Sequence, residues 1–319
     1  MLKKISVFLV ILLLLACDRQ SETEKQIEKV PVDLEISRFD QEFAAATPQD
    51  LPKLKNKYPF LFPEQYPDSV WLAKLQDTIQ LELNTEVAKA FPDFSLEEDK
   101  LHALFQHVKY YFPQFQVPEV ITITSEVDYK NKALYTGDYL FIALDTYLGE
   151  DHQFYIGIQD YLKKNFRKAQ ILPDAANEIA ETLVPRADSR TFLSHMLYYG
   201  KLLYLKQLFI PAESDAEKMG YTAEELDWAA ANEDQIWRYF IENELLYDTD
   251  SELYSRFLYP APFSKFYLQL DNESPARLGQ YIGWQIIRSY MEHNEVSVER
   301  MLKTPSEEIF NDAKYKPKK

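Results

Sequence analysis

Five side chains in the middle of the sequence carry functional groups at spacings that matter. Asn177, Glu178 and Glu181 fall in one pentad, Asn177-Glu178-Ile179-Ala180-Glu181. On a helix, residues four apart stand one above the other, so Asn177 and Glu181 share a face with Glu178 beside them. His195 and Tyr199 repeat that spacing further on. Two carboxylates and an imidazole that converge can bind a metal ion. The same groups also make an ordinary solvated helix face, with His195 a hydrogen-bonded residue at a helix–helix seam.

Two helices must position them, within residues 171–208. Pro173 suits a first helical turn, where its missing N–H costs nothing. Asp174 follows, where a carboxylate complements the helix dipole. Ala176, Ile179 and Leu183 recur at helical spacing and Pro185 stops the run. The expected spans are 173–184 and 190–208, packed so that Asn177, Glu181 and Tyr199 face one another. Ahead of them the chain is β-rich. Val120-Ile121-Thr122-Ile123-Thr124, Ala133-Leu134-Tyr135 and residues 139–144 read as strands, with Gly137-Asp138 as a hairpin turn.

Sheet, then this helix, then a second helix is the order of a zincin peptidase. The pentad resembles the zinc-peptidase helix H-E-x-x-H, with Asn177 and Glu181 at the two ligand positions and Glu178 at the general-base position. Tyr199-Gly200-Lys201-Leu202-Leu203-Tyr204 resembles the gluzincin segment E-G-x-A-x-Y, with Tyr199 where a third ligand would stand. The resemblance implies a degenerate cleft of Asn177, Glu178, Glu181, His195 and Tyr199, with no catalytic residue, no metal and no cofactor. It also implies a peptide groove along a sheet edge, either residues 139–144 or their hairpin partner. The alternatives are a metal-dependent hydrolase with a shifted site on Glu178, Glu181 and His195, and a purely structural lipoprotein.

The start of the chain reads as a targeting segment. Lys3 and Lys4 precede an apolar stretch, residues 5–15, too short to span a bilayer comfortably. Leu14-Leu15-Ala16-Cys17 resembles the bacterial lipobox, which implies cleavage after residue 16 and acylation of Cys17, the one cysteine of the chain. Residues 1–16 are then a signal peptide, 17–29 a lipidated cysteine with a polar tether, and 30–319 a single globular domain. Sheet segments are expected near 30–36 and 117–148, and a helical core over 150–310.

The 319 residues include 46% apolar residues, 22 Tyr, 20 Phe and only 7 Gly. Few glycines and long apolar runs favour helices over a turn-rich sandwich. The expected class is α+β, mainly helical, with a small antiparallel or mixed sheet before a degenerate zincin-like helical core. Without residues 1–16 the chain holds 33 basic and 51 acidic residues, a net charge of −18. That excludes nucleic acid as a natural partner, since phosphate contacts need clustered Lys and Arg. It also argues against broad adhesion to anionic lipid.

Other local readings follow from pattern. Residues 30–36 alternate like a strand with one buried face. Residues 68–91 read as one long helix, with Trp71, Leu75, Ile79 and Leu83 on one side. Ser95 with Glu98, and Thr222 with Glu225, form capping boxes. The helix after Thr222 carries Leu226, Ile236, Trp237, Phe240 and Leu245 inward. Ser274-Pro275 opens the last major helix, in which Gly279 and Gly283 allow close packing on another helix. His102 and His107 are five apart, a poor metal spacing. The basic end, Lys314 to Lys319, reads as loose.

Several longer segments carry a family resemblance. They include Val32-Asp33-Leu34-Glu35-Ile36-Ser37-Arg38-Phe39-Asp40, Ile142-Ala143-Leu144-Asp145-Thr146-Tyr147-Leu148-Gly149 and Tyr198-Tyr199-Gly200-Lys201-Leu202-Leu203-Tyr204. Ile236-Trp237-Arg238-Tyr239-Phe240, Ala261-Pro262-Phe263-Ser264-Lys265-Phe266-Tyr267 and Ile282-Gly283-Trp284-Gln285-Ile286-Ile287-Arg288-Ser289-Tyr290 add to it. Together they resemble the GldB-type gliding motility lipoproteins of Bacteroidetes bacteria. The resemblance implies an envelope lipoprotein required for gliding, anchored through lipid on Cys17 and facing the periplasm. It implies partners among the envelope proteins of the motility and type IX secretion machinery.

Overall fold

A computed structural model describes residues 22–269 and 271–318. Cys17 and the leader lie outside the described residues. In chain order, the elements that position the site begin with helix α1 (Glu22–Ile27) and strand β1 (Ile36–Ser37). Helix α2 (Ser95–Tyr111) and strands β2 (Glu119–Ile123), β3 (Ala133–Tyr135) and β4 (Tyr139–Ala143) follow. Then come helices α3 (Ile171–Leu183), α4 (Phe192–Phe209) and α5 (Leu278–His293). Helices and a small sheet share one large core, which is the α+β, mainly helical class expected.

Helices α3 and α4 form an antiparallel hairpin at the centre. Thr191 caps α4, its hydroxyl accepting the Ser194 N–H at 3.3 Å. One face of α3 is made of Ala175, Ala176, Ile179 and Ala180, all buried. Small side chains there let neighbouring elements come close. Leu193, Met196, Leu197, Leu202, Leu205 and Phe209 bury α4 on nearly every side. A helix apolar all round belongs inside a core. Against it lies α5, and the contact is backbone on backbone. A Cβ on Gly283 would stand 2.0 Å from the Met196 carbonyl oxygen, and one on Gly200 would stand 2.4 Å from the Gly283 carbonyl carbon. The close packing expected of Gly283 is thus present. Gly279 serves a different neighbour, where a Cβ would come within 2.9 Å of the Phe257 carbonyl.

The sheet is mixed, in the order β1-β2-β4-β3. β1 and β2 are parallel, as are β2 and β4, and only β3 runs antiparallel to its neighbour β4. Val120, Leu140 and Ile142 join the main core. On β4, Tyr139 stacks on Phe60 at 4.1 Å and Phe141 lies 6.1 Å from the same ring. Phe60 belongs to a smaller aromatic cluster with Phe43, Tyr58, Phe62 and Trp71. Covering both faces explains why β2 buries three residues in a row.

Several local expectations are corrected. Residues 30–36 alternate in exposure, but only Ile36 and Ser37 pair with the sheet. Carbonyls further back are bound by α2 side chains instead, Gln106 on Val30 and Lys109 on Pro31. Most of the expected tether is folded too: α1 docks on α2, and Ile27 is buried. The run 68–91 breaks into Asp68–Lys74 and Thr78–Ala90, because the Asp77 carboxylate caps a new helix through the Gln80 N–H. That break leaves Ile79 62% exposed. Ser95 is the first residue of α2 rather than its cap; Phe94 stands at the N-cap, and Asp93 accepts from the Ser95 N–H and hydroxyl. The helix after Thr222 has its capping box, but it is two helices, Ala223–Ala231 and Glu233–Glu242. Ser274 does not cap α5; its hydroxyl donates to the Ser264 and Asp271 carbonyls, and α5 starts after Arg277. The basic end is tied down, since buried Glu233 accepts from the Tyr315 hydroxyl and the Lys318 N–H.

The glycine contact yields a prediction. Gly283→Ala must push α4 and α5 apart and should cost at least about 2 kcal/mol, in the range of core overpacking. Gly137→Ala has open space and only a positive φ to oppose it, so it should cost about 1 kcal/mol. Urea denaturation measures both, and equal costs would contradict the helix contact.

Candidate functional site

Along α3, intervals of three and four residues put Asp174, Asn177, Glu178 and Glu181 on one stripe. At its outer end the Asn177 side-chain amide donates to Glu181 Oε1 at 2.8 Å. The middle of the stripe touches the sheet, where the Tyr135 N–H donates to Glu178 Oε2 at 3.4 Å. Strand alternation explains that contact. The Ala143 N–H donates to the Lys132 carbonyl and the Thr136 N–H to the Tyr139 carbonyl. Ala133 and Tyr135, one residue out of phase, therefore turn their backbone groups away from β4. Glu178 thus sits on the outer edge of the sheet. That edge is β3, the hairpin partner; residues 139–143 pair on both sides.

At the inner end of the stripe, Asp174 accepts from the Tyr147 hydroxyl at 2.9 Å and from Lys132 Nζ. Across from it, α4 contributes Lys206, a buried lysine. The hairpin is antiparallel, so Lys206 meets the start of α3 and Tyr199, two turns earlier, meets its end. Burial lowers the Lys206 amine to about 8, with the Asp174 charge opposing. Burial raises Glu178 to about 7, helped by the charges of Glu181 and Asp174 and opposed by the Tyr135 N–H. Burial also pushes the Tyr199 phenol up to about 12, with Tyr259, Tyr198 and Glu181 adding to it.

Asn177, Glu178, Glu181 and Tyr199 are therefore brought to one seam. His195 lies a turn beyond, its ring 4.4 Å from that of Tyr254 on the helix Glu252–Phe257, and burial there lowers its pKa. Among the described residues, no group of three or more His, Cys, Asp and Glu is placed to hold a metal ion. Sequence reasoning missed Lys206, Lys132 and Tyr147. Lys206 was findable, since it follows Tyr199 by seven residues, two turns on the same face. Lys132 and Tyr147 come from the hairpin and the loop after it, and nothing in their spacing marks them.

Away from the seam, a recess of about 280 Å³ is lined by Asp188, Ser194, Lys201 and Ser306. Asp188 accepts from both serine hydroxyls and the Ser306 N–H. Lys201 donates to the Leu302 and Thr304 carbonyls. These bonds tie the C-terminal helices to the hairpin.

The Glu178 environment has a pH signature. Below about 4.5, its ordinary value, the carboxyl is protonated folded or unfolded. Between 4.5 and about 7 the folded state keeps a proton that the unfolded chain loses, so its contribution falls as pH rises. Above 7 both states are ionised and the cost is complete. Glu178→Gln keeps an acceptor for the Tyr135 N–H without titrating. Relative to this variant, the unaltered protein should lose about 1–2 kcal/mol between pH 4.5 and 8, solvent at the half-buried carboxylate moderating the shift. Urea midpoints across that range measure it; a difference constant with pH would contradict the geometry.

Among the described residues, no helix is long and apolar enough to cross a membrane. Comparison with curated proteins and with solved structures finds no match. The family described as gliding motility protein GldB matches over residues 20–317, nearly the whole described chain. The protein belongs to the GldB family of gliding motility lipoproteins.

Proposed function

We propose that the protein is a non-catalytic part of the gliding apparatus and its associated type IX secretion machinery. Acyl chains on Cys17 hold it on a membrane, facing the periplasm. Its seam is a disabled zincin-like cleft that serves as a groove for an extended segment of a partner protein. The observation that carries this reading is how the stripe on α3 is used. Asn177 and Glu181 stand where two metal ligands would be, and they bond to each other. Glu178 stands where a general base would be, and it accepts from the edge strand. Imidazoles or anions at fixed geometry are what zinc needs, and Asn177 with Tyr199 offers neither.

The edge supports the groove. Beyond the Tyr135 N–H, the outward backbone groups of Ala133 and Tyr135 have no hydrogen-bond partner among the described residues. A partner strand can bond to such groups and gain affinity from its backbone. β3 has only three residues, so most of the specificity must come from side chains along the seam.

Two experiments test this. Cys17→Ser should leave the precursor uncleaved and abolish labelling by radioactive palmitate; normal processing would show that the leader is misread. Glu178→Ala combined with His195→Ala should reduce gliding and weaken capture of envelope partners while the protein stays folded. Unchanged gliding with unchanged capture would move the functional surface elsewhere, first to the acidic helix Ala223–Ala231.

A further inference from the structure

Two tyrosine pairs adjoin at the outer end of the seam. Tyr198 and Tyr199 on α4 meet edge to face with ring centroids 5.2 Å apart, and Tyr254 lies 6.2 Å from Tyr259. His195, one turn before Tyr199, rests on Tyr254 with ring centroids 4.4 Å apart, which joins the two pairs, and the antiparallel hairpin sets Glu181, near the end of α3, against the Tyr199 part of α4. The hydroxyls of Tyr198, Tyr199 and Tyr259 have no hydrogen-bond partner among the described residues. Tyr259 is 48% exposed.

Four tyrosine faces elsewhere carry a cation of the protein itself. Lys57 lies over Tyr58, Lys132 over Tyr147, Arg277 over Tyr221 and Arg256 over Tyr267. Over Tyr198, Tyr199, Tyr254 and Tyr259, no Lys or Arg of the described residues takes that position. Glu178 and Glu181 form no ion pair among the described residues. Arg186 acts on Tyr198 and opposes the effect of Glu181 there. Electron-rich ring faces beside the exposed Glu181 carboxylate attract a cation twice over, by the ring quadrupole and by charge. Glu178 and Glu181 are about 4.5 Å apart along the helix axis, within the reach of one long side chain.

We propose that this aromatic end of the seam is a cation-selecting subsite, which takes a lysine or arginine side chain of an extended partner segment. The inference rests on the groove reading above and adds what the groove selects. A segment paired with the outer edge of β3 passes Glu178 first, then Glu181 and the tyrosines. Its basic side chain lies over Tyr199 and Tyr259 with its head toward Glu181.

The test is a titration of the purified full chain with a short, acetylated, fluorescent peptide of alternating threonine and valine carrying one central arginine. A twin peptide carries glutamate instead. The arginine peptide should bind at least tenfold tighter. The whole chain is acidic, with a formal charge of −16, so general attraction would also favour arginine. Glu181→Lys and Tyr259→Ser separate the two effects, because both side chains are exposed and neither change makes the chain basic. Each should reduce the preference to twofold or less. A preference that survives both variants overturns the subsite and assigns the attraction to net charge. Equal binding of the two peptides overturns cation selection and leaves the groove standing. Binding of neither peptide overturns the groove as well.

Discussion

The absence of a side chain at Gly200 and Gly283 is the constraint on which the rest of the structure depends. Two helix backbones touch there, closer than any Cβ allows. That contact seats α4 against α5 and leaves its other sides to α3 and the remaining core. A helix held on all sides has little freedom to rotate or slide, because packed interiors resist small displacements. Lys206 and Tyr199 are consequently fixed at the two ends of the α3 stripe. The site is thus set largely by packing of α4 on α5, and the bonds of Glu178 and Asp174 to the sheet and its flanking loops complete it.

The seam runs from dry to wet. At its inner end Asp174 is shared by Tyr147 and Lys132, with the buried Lys206 amine nearby. Unpaired charge there would be costly, and the shifts of Lys206 and Glu178 both lie toward neutrality. The outer end is different: Glu181 is exposed, and the hydroxyls of Tyr198, Tyr199 and Tyr259 have no partner among the described residues. A polar stripe whose inner carboxylate is bonded and whose outer one is exposed suits recognition at its open end. The Tyr135 N–H on Glu178 joins this stripe to the sheet, so a ligand on the edge strand also meets α3.

Much of this was legible in the sequence, because local chemistry decided it. Pro173 lies in the first turn of α3, which opens two residues earlier at Ile171, Pro185 follows its end, Thr222 and Glu225 make their box, and Gly137 turns the hairpin. Gly283, one turn from Gly279, announced a close helix contact, though its partner Gly200 was not foreseen. The misreadings share a cause: distant groups outcompeted the local signal. Residues 30–34 have strand periodicity, but side chains of α2 bind their carbonyls before a neighbouring strand can. Asp77 capped a helix in the middle of a periodic run. Glu233, far away in sequence, holds the basic end in place. His195 was linked to Glu178 and Glu181 by helical spacing alone, whereas its ring rests on Tyr254, which no spacing rule connects to it.

The central claim is that the α3–α4 seam recognises a partner and holds no metal. Metal analysis of the full-length protein, purified from membranes without chelator and measured by inductively coupled plasma mass spectrometry, tests it most directly. The account predicts far less than one equivalent of any transition metal per chain, unchanged by Glu178→Gln. One tightly held equivalent that disappears in Glu178→Gln or Glu181→Gln would contradict it and make the seam a metal centre.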